Sequence, residues 1–350
     1  MSENIDRHRR RFFNETATTI AAISVGLIRS GATSAGESGP PALSASPPQP
    51  RAGFGPLKQV DAGVLRIGYA ELGPVDGQAV VLLHGWPYDI HSFVEVAPLL
   101  AWKGYRVIVP YLRGYGSTRF LYSDTFRNGQ QSALALDVLA LMNALKIGKA
   151  IIGGFDWGAR TAEILAALRP ERCRAIVAVS GYLIASRTAN RQPLSPEAEY
   201  RWWYQYYFAT ERGRRGYETN RHAFNKLIWK NASPKWAFDD ATYDRTAAAF
   251  DNPDHVSIVI HNYRWRLSLE AGERQYDSLE QRLAEGPSIS VPAITIGSDF
   301  DGAAADGGGP LKKFSGPHLH RVFAGIGHNV PQEAPDWFAK AVIEADRCRV

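Results

Sequence analysis

The 350-residue chain contains little sulfur: two cysteines, Cys173 and Cys348, and two methionines. Two cysteines are too few for a disulfide framework or a cysteine-based metal site. We expect two free thiols, and a single bridge between Cys173 and Cys348 is the open alternative.

The sequence also lacks a concentration of charge of one sign and a long apolar run. The formal net charge is +5, but beyond the first eleven residues the basic side chains are mixed with acidic ones. A nucleic-acid interface needs a basic patch or stripe, so we predict none. No apolar run approaches the roughly 20 residues of a transmembrane helix, and no internal repeat is visible. These absences favour an ordinary globular protein without a stable membrane span.

An arginine cluster precedes a short apolar stretch at the N-terminus: RHRRRFF, then NETATTIAAISVGLI, then small residues in SGATSAG. This order is typical of a secretory signal peptide, and Arg9, Arg10 and Phe12 fit the twin-arginine pattern. We predict that residues 1–35 are an export signal for the twin-arginine machinery, which would deliver the mature protein to a bacterial periplasm. A basic tail or short anchor on a cytoplasmic protein is the alternative. Residues 36–54 are rich in Pro, Ser and Gly and predict a flexible linker.

Strand and helix signals alternate after the linker, which predicts an α/β sheet. AVVLLHG and KAIIGGFD are continuous apolar runs of the kind found in buried parallel strands. Residues 182–285 lack such runs and are crowded with aromatic and charged side chains, which predicts a helical insertion. The predicted core therefore comprises residues 55–181 and 286–350, with a cap inserted between them.

The segment GFDWGA has the spacing G-x-nucleophile-x-G, with Asp156 at the central position. A nucleophile on a tight strand-to-helix turn needs small neighbours, and Gly154 and Gly158 supply them. The flanking sequence predicts a strand before this turn and a helix after it. Taken alone, Asp156 could equally be the N-cap of that helix.

Two further segments supply the partners of such an aspartate. HGWP, residues 84–87, follows a predicted strand, and a backbone N–H there would form an oxyanion hole with the N–H that follows the nucleophile. Those N–H groups belong to Trp86 and Trp157; a simple tight turn is the alternative reading of HGWP. GIGHNVP places His328 just after the last predicted strand, where an imidazole can activate water.

An acidic residue is expected between the nucleophile and the histidine. GSDFDG, residues 297–302, offers Asp299 and Asp301 after the penultimate strand. A carboxylate there would orient His328 and stabilise its cation. One aspartate is enough for this role.

Four ordered segments resemble the α/β-hydrolase superfamily and, within it, the epoxide hydrolases and the related haloalkane dehalogenases: HGWP, LRGYGST, GFDWGA and GHNVPQEAP. The resemblance covers nearly all of residues 56–348. It implies the α/β-hydrolase fold, a mostly parallel central sheet flanked by helices with an inserted helical cap. Tyr111 departs from the family, which often has aspartate there, and the acid turn is compressed. The family's usual spacing, counted from Pro292, favours Asp301 over Asp299.

An aspartate nucleophile favours displacement at an alkyl carbon over acyl transfer. A carboxylate attacks amides poorly, but it can open an epoxide or expel a halide and leave an ester on Asp156. Water activated by His328 would then attack the ester carbonyl, and the oxyanion hole would stabilise the tetrahedral state. We predict neither a metal nor a cofactor for this chemistry.

The leaving group separates the two chemistries, because an epoxide oxygen needs a proton whereas a halide needs N–H donors. The resemblance assigns the role of proton donor to two cap tyrosines. They are Tyr204, in the segment WYQYYF, and Tyr263, in the segment HNYRW. A phenol with an ordinary pKa near 10 can protonate an alkoxide-like oxygen. Many dehalogenases have Asn at the position of Trp86, where epoxide hydrolases usually have an aromatic residue.

Aromatic residues in a cap are more often packing than chemistry, and Tyr206 and Tyr207 lie beside the assigned tyrosine. The oligomeric state is not predicted. A haloalkane dehalogenase with the same nucleophile is one alternative, and a hydrolase-fold ligand-binding protein with little turnover is another. A fluoroacetate-type dehalogenase typically has Arg after the nucleophile, where this chain has Trp157. We predict a hydrolase that acts on a small apolar epoxide or a related electrophile.

Overall fold

The computed structural model describes residues 53–298 and 311–348. The predicted export signal, residues 1–35, and nearly all of the linker lie outside the described residues, as do Asp299 and Asp301. Those assignments stay predictions. The structure therefore bears on the core and the cap.

One central sheet runs through the described chain, in the spatial order β1-β2-β4-β3-β6-β7-β8-β9, with β5 paired to β2. The six strands from β4 to β9 in this order pair in parallel, whereas β1, β2 and β5 pair antiparallel at one side. The predicted mostly parallel sheet is confirmed. The strands are β1 Lys58–Ala62, β2 Leu65–Leu72, β3 Ala79–Leu83, β4 Arg106–Pro110, β5 Arg119–Phe120, β6 Ala150–Gly154, β7 Cys173–Val179, β8 Ala293–Ser298 and β9 His318–Phe323.

Helices flank this sheet because its central strands are apolar on both faces. Every residue of β3 and β6 is buried, and a strand buried on both sides needs cover on both sides. One helix pair, α2 and α3, packs together, and so do α1 and α11. The helices of the core are α1 Val96–Trp102, α2 Gln131–Ala144, α3 Trp157–Leu168, α10 Val330–Glu333 and α11 Pro335–Arg347.

Six further helices lie between β7 and β8 in the chain, and this segment contains no strand. The inserted helical cap of the predicted fold is confirmed, although its exact boundaries, 182 and 285, stay predictions. Helix α6 has a non-helical residue, Asn220, near its middle. The cap helices are α4 Pro196–Arg201, α5 Trp203–Ala209, α6 Glu211–Ala232, α7 Asp240–Ala247, α8 His255–Arg266 and α9 Asp277–Ala284.

The parallel strands bring the predicted motifs to one edge of the sheet. HGWP follows β3, the Asp156 turn follows β6, and His328 lies in the loop between β9 and α10. The carboxyl ends of parallel strands share one edge, where ligands of open α/β sheets bind. The fold therefore gathers segments that are far apart in the chain.

Both cysteines are free thiols, with Cys173 buried in β7 and Cys348 exposed after α11. The bridge left open by the sequence is thus absent. In the part of the chain that the structure describes, no helix combines the length and the apolar character that crossing a bilayer requires.

Candidate active site

Asp156 lies at the tight turn between β6 and α3, with φ 51° and ψ −122°. A positive φ is strained for a residue with a side chain, and such strain persists only where the surroundings enforce it. A Cβ added to Gly158 would lie 1.9 Å from the carbonyl oxygen of Leu83, and one added to Gly154 would lie 2.5 Å from the Gly158 carbonyl carbon. The two glycines of the motif are therefore required by close backbone approach.

The carboxylate of Asp156 has a partner at each oxygen. The backbone N–H of Trp86 donates to Oδ1 at 2.8 Å, and Nε2 of His328 lies 3.5 Å from Oδ2. Burial by itself raises the pKa of Asp156, but the contact with His328, the positive charge of Arg160 and the Trp86 N–H together hold it below 3.8. Asp156 is therefore an anion at neutral pH.

The loop that carries His328 is organised by one carboxylate at the end of α10. Glu333 accepts hydrogen bonds from the N–H of Gly327 at 2.7 Å and of Asn329 at 3.1 Å. It also accepts from the hydroxyl of Ser233 at 2.7 Å, and the Ser233 oxygen accepts from the N–H of His328 at 3.0 Å. The glutamate of the GHNVPQEAP motif thus ties the histidine loop to the end of cap helix α6.

Tyr204 on α5 and Tyr263 on α8 meet above the indole of Trp86. The ring centroids of the two tyrosines are 5.5 Å apart, and they lie 5.0 Å and 5.2 Å from the Trp86 ring. Burial, followed by the negative charge of Asp156, raises the pKa of the Tyr204 phenol. Burial also raises the pKa of Tyr263 well above 10, so both phenols keep their protons at neutral pH.

The neighbouring tyrosines of the same segment lie elsewhere. Tyr206 is 46% exposed and donates to the carboxylate of Glu199. Tyr207 stacks on Phe224, with ring centroids 5.9 Å apart. Within WYQYYF, the structure brings only Tyr204 of the three tyrosines to Asp156.

A buried hydrogen-bonded chain fixes the indole of Trp86. Its Nε1–H donates to the hydroxyl of Tyr217 at 2.9 Å, and this hydroxyl lies 2.9 Å from Nε2 of His255. The other ring nitrogen of His255 lies 2.9 Å from the carbonyl oxygen of Gly114, which can only accept. Burial lowers the pKa of His255 to about 3, so the neutral ring donates from Nδ1 and accepts from Tyr217 at Nε2. Each donor in the chain therefore has one acceptor.

Asp156 and the side chains around it line a cavity of about 910 Å³ between the core and the cap. The predicted residues Trp86, Asp156, Tyr204, Tyr263 and His328 all contribute to its wall. Trp157, whose N–H was assigned to the oxyanion hole, is buried and begins helix α3. The first N–H groups of a helix have no partner within the helix, so this amide is available to an oxyanion on Asp156.

Sequence reasoning missed two arginines in the cavity wall. Arg160 lies four residues after Asp156 on α3, and Arg266 ends α8. Burial, and then the charge of Arg266, lowers the pKa of Arg160 to about 10. Only the spacing of four from Asp156, which is one helical turn, could have pointed to Arg160.

Three comparisons with known proteins agree on the family to which this chain is similar. The model of the α/β-hydrolase fold family matches residues 78–335. A crystal structure of a proposed epoxide hydrolase from Klebsiella pneumoniae is 57% identical, with a TM-score of 0.81, over 83% of this chain and 97% of that one. Epoxide hydrolase B of Mycobacterium tuberculosis is 35% identical over 151 residues, which are 39% of this chain and 41% of the relative.

The match to the curated relatives is partial, since it spans less than half the length of the mycobacterial protein. A fluoroacetate dehalogenase from a Burkholderia species is 36% identical over 113 residues, or 32% of this chain and 36% of the relative. The curated proteins similar to this chain thus include both an epoxide hydrolase and a dehalogenase.

Proposed function

The chain belongs to the α/β-hydrolase family and is of the epoxide hydrolase type within it, and from this premise we propose that it hydrolyses epoxides to vicinal diols through an ester on Asp156. The observation that carries the proposal is the meeting of Tyr204 and Tyr263, from two cap helices, in the cavity that contains Asp156. A nucleophile, two proton donors and a histidine around one space are what ring opening followed by ester hydrolysis requires.

In the first step, a carboxylate oxygen of Asp156 attacks a ring carbon while the C–O bond of the epoxide breaks. Oδ1 is held by the Trp86 N–H and becomes the carbonyl oxygen of the ester, which leaves Oδ2 as the attacking atom. The ring oxygen takes a proton from Tyr204 or Tyr263 and becomes a hydroxyl group. The phenol that gave the proton is left as a phenolate, which the nearby second phenol can stabilise by a hydrogen bond.

In the second step, His328 removes a proton from water, and the hydroxide attacks Cγ of Asp156. The negative charge develops on Oδ1, where the N–H groups of Trp86 and Trp157 stabilise it. The alkyl C–O oxygen leaves and takes the proton from His328, which completes the diol. The remaining water proton, on the new carboxyl group, passes to the phenolate and restores the site. We assign the orientation of His328 to Asp301, with Asp299 as the alternative.

Halide displacement is the second candidate, and one observation favours it. The indole N–H of Trp157 is buried and has no hydrogen-bond partner among the described atoms, so it is a free donor of the kind that a halide needs. The indole N–H of Trp86, by contrast, is already bound to Tyr217. A halide would therefore have one indole donor instead of two, which supports epoxide over haloalkane.

Parallel assays of diol formation from a 1,2-epoxyalkane and bromide release from a 1-bromoalkane test the proposal. We expect diol formation at least tenfold faster than bromide release, and neither reaction with Asp156→Asn. Bromide release without diol formation would identify a dehalogenase. Tight binding of the epoxide without any product would instead support a ligand-binding protein.

A further inference from the structure

The cavity around Asp156 has an excess of positive charge. Its wall contains four basic side chains, and Asp156 is the only carboxylate among the described residues that line it. A cavity built solely for an apolar epoxide has no use for a cation taken out of water, because removing a charge from water is costly unless a partner compensates it. The four cations are the buried Arg160, the half-buried Arg266, and the exposed Arg201 and Lys230.

Arg160 is the most deeply placed of the four, at 8% exposure. Within the described residues its guanidinium makes one hydrogen bond, from Nε to the carbonyl oxygen of Leu183 at 3.1 Å, and no ion pair. Glu163, one turn further along α3, accepts the Leu183 N–H and does not pair with Arg160. Burial raises the pKa of Glu163 well above 4.5, which weakens it as a counter-ion. The two terminal nitrogens of Arg160 therefore remain for a ligand.

Arg266, the last residue of cap helix α8, lines the same cavity. Its guanidinium carbon lies 5.7 Å from the centroid of the Tyr263 ring, next to the proposed proton donors. Its Nε is buried and has no hydrogen-bond partner in the part of the chain that the structure describes. An N–H group that is buried and unpaired is destabilising, and a bound acceptor removes that cost.

We propose that the substrate carries a carboxylate in addition to the epoxide, and that Arg160 and Arg266 together bind this carboxylate. The inference rests on the proposed function, since it names the substrate class of that same site. Guanidinium groups bind carboxylates through paired N–H donors in a fixed geometry. Arg160 follows Asp156 by four residues, and its backbone N–H donates to the Asp156 carbonyl oxygen at 3.1 Å. The carboxylate is therefore only a few bonds from the attacked carbon, and the rest of the cavity accommodates an apolar remainder.

The arginines could alternatively assist the tyrosines in giving up a proton, since burial raises the pKa of Tyr204 and Tyr263 and the charges of Arg160 and Arg266 offset part of that rise. That role would favour ring opening of every epoxide, charged or neutral. Carboxylate binding would favour only the charged substrate. A matched pair of substrates separates the two roles.

The test compares 3,4-epoxybutanoate with 3,4-epoxybutanamide, which differ in charge at nearly constant shape. We expect wild-type protein to have a higher kcat/KM for the acid, and Arg266→Gln to reduce the acid-to-amide ratio by about tenfold to a hundredfold. Arg160→Gln should act in the same direction, and Arg266→Lys should restore part of the ratio. Arg282→Gln, which removes an exposed cation from α9, is the matched control and should leave the ratio unchanged. An equal loss on both substrates, or an unchanged ratio, would overturn the proposal.

A binding experiment makes this test independent of turnover. Calorimetric titration of the wild-type protein with hexanoate and hexanamide should give tighter binding of hexanoate, and Arg266→Gln should reduce the difference. If no epoxide is hydrolysed but hexanoate binds in this way, the proposed function fails and the carboxylate site stands. If hexanoate binds no more tightly than hexanamide, the carboxylate site is excluded whatever the enzyme does to epoxides.

Discussion

The backbone N–H of Trp86 donates a 2.8 Å hydrogen bond to Oδ1 of Asp156, a residue 70 positions further along the chain. The bond joins the turn after β3 to the turn after β6, at the edge where the parallel strands end. A Cβ added to Gly85 would lie 2.3 Å from Cβ of Asp156, so this approach requires glycine before Trp86. The same N–H that holds the carboxylate in the resting state is placed to hold an oxyanion on Asp156 later.

The two cap phenols give a prediction about ring opening. Tyr204→Phe or Tyr263→Phe should slow epoxide opening by about tenfold to a hundredfold, because the remaining phenol still donates a proton, and the double variant by about 10²–10⁴-fold. Rapid-quench single-turnover kinetics with a 1,2-epoxyalkane measures this step. Tyr206→Phe, at the exposed tyrosine of the same helix, is the matched control. A double variant that opens epoxides at the wild-type rate would exclude both tyrosines as acids.

The buried chain from Trp86 to His255 gives a prediction about positioning. Tyr217→Phe removes the acceptor of the Trp86 indole N–H, which should cost about 1–3 kcal/mol of the free energy of unfolding. Because Trp86 packs against both cap tyrosines and carries an oxyanion donor, kcat should also fall while KM changes little. Urea unfolding and steady-state kinetics measure the two effects.

A core tyrosine supplies the control for that variant. Tyr105→Phe removes a 3.0 Å hydrogen bond to Asp346, far from the cavity, and should lower stability without slowing turnover. If Tyr217→Phe and Tyr105→Phe have the same kinetic constants, the hydrogen bonds from Trp86 through Tyr217 to His255 have only a structural role.

Two fully buried histidines predict how stability depends on pH. Burial lowers the pKa of His84 to about 4 and that of His255 to about 3, from 6.5 in the unfolded chain. At pH values between the folded and the unfolded pKa of each histidine, the unfolded state binds more protons than the folded state. The free energy of unfolding therefore decreases as the pH falls below 6.5. Each histidine should remove roughly 2 kcal/mol between pH 7 and pH 5. Urea unfolding at several pH values measures the slope.

A variant pair assigns that slope to the buried groups. His255→Asn should have a shallower dependence on pH than the wild type, whereas Arg282→Gln, at an exposed residue of α9, should keep the wild-type slope. Equal stability of the wild-type protein at pH 7 and pH 5 would contradict the assignment.

Local patterns were sufficient to predict most of the core. The runs AVVLL and AIIGG became the central strands β3 and β6 because continuous apolar residues need burial on both faces. Strand β1 was missed, since KQVDA is mostly exposed and pairs only at the edge of the sheet. The segment HSFVEVAPLLAWKG has a helix-like apolar pattern from His91 onward, but its α-helix begins only at Val96. Asp89 caps a separate short turn before it, through a bond to the His91 N–H.

The site was predictable where ordered motifs specify it and unpredictable where the cap does. Asp156, His328 and Trp86 lie at strand ends, so their meeting follows from the sheet. Arg266 reaches the cavity, and Tyr217 and His255 reach the indole of Trp86, through the packing of cap helices against the core, and no short motif encodes that packing. Their charge and hydrogen bonding are nevertheless what distinguish this cavity from a purely apolar one.

The central claim is that Asp156 becomes an ester, and isotope labelling tests it most directly. A single turnover of excess protein with an epoxide in H₂¹⁸O should give a diol without ¹⁸O, because the new hydroxyl oxygen comes from Asp156. Mass spectrometry of the peptide that contains Asp156 should then show one ¹⁸O in its carboxyl group. A diol that carries ¹⁸O after the first turnover, with an unlabelled Asp156, would contradict the account, since water would then have attacked the epoxide directly.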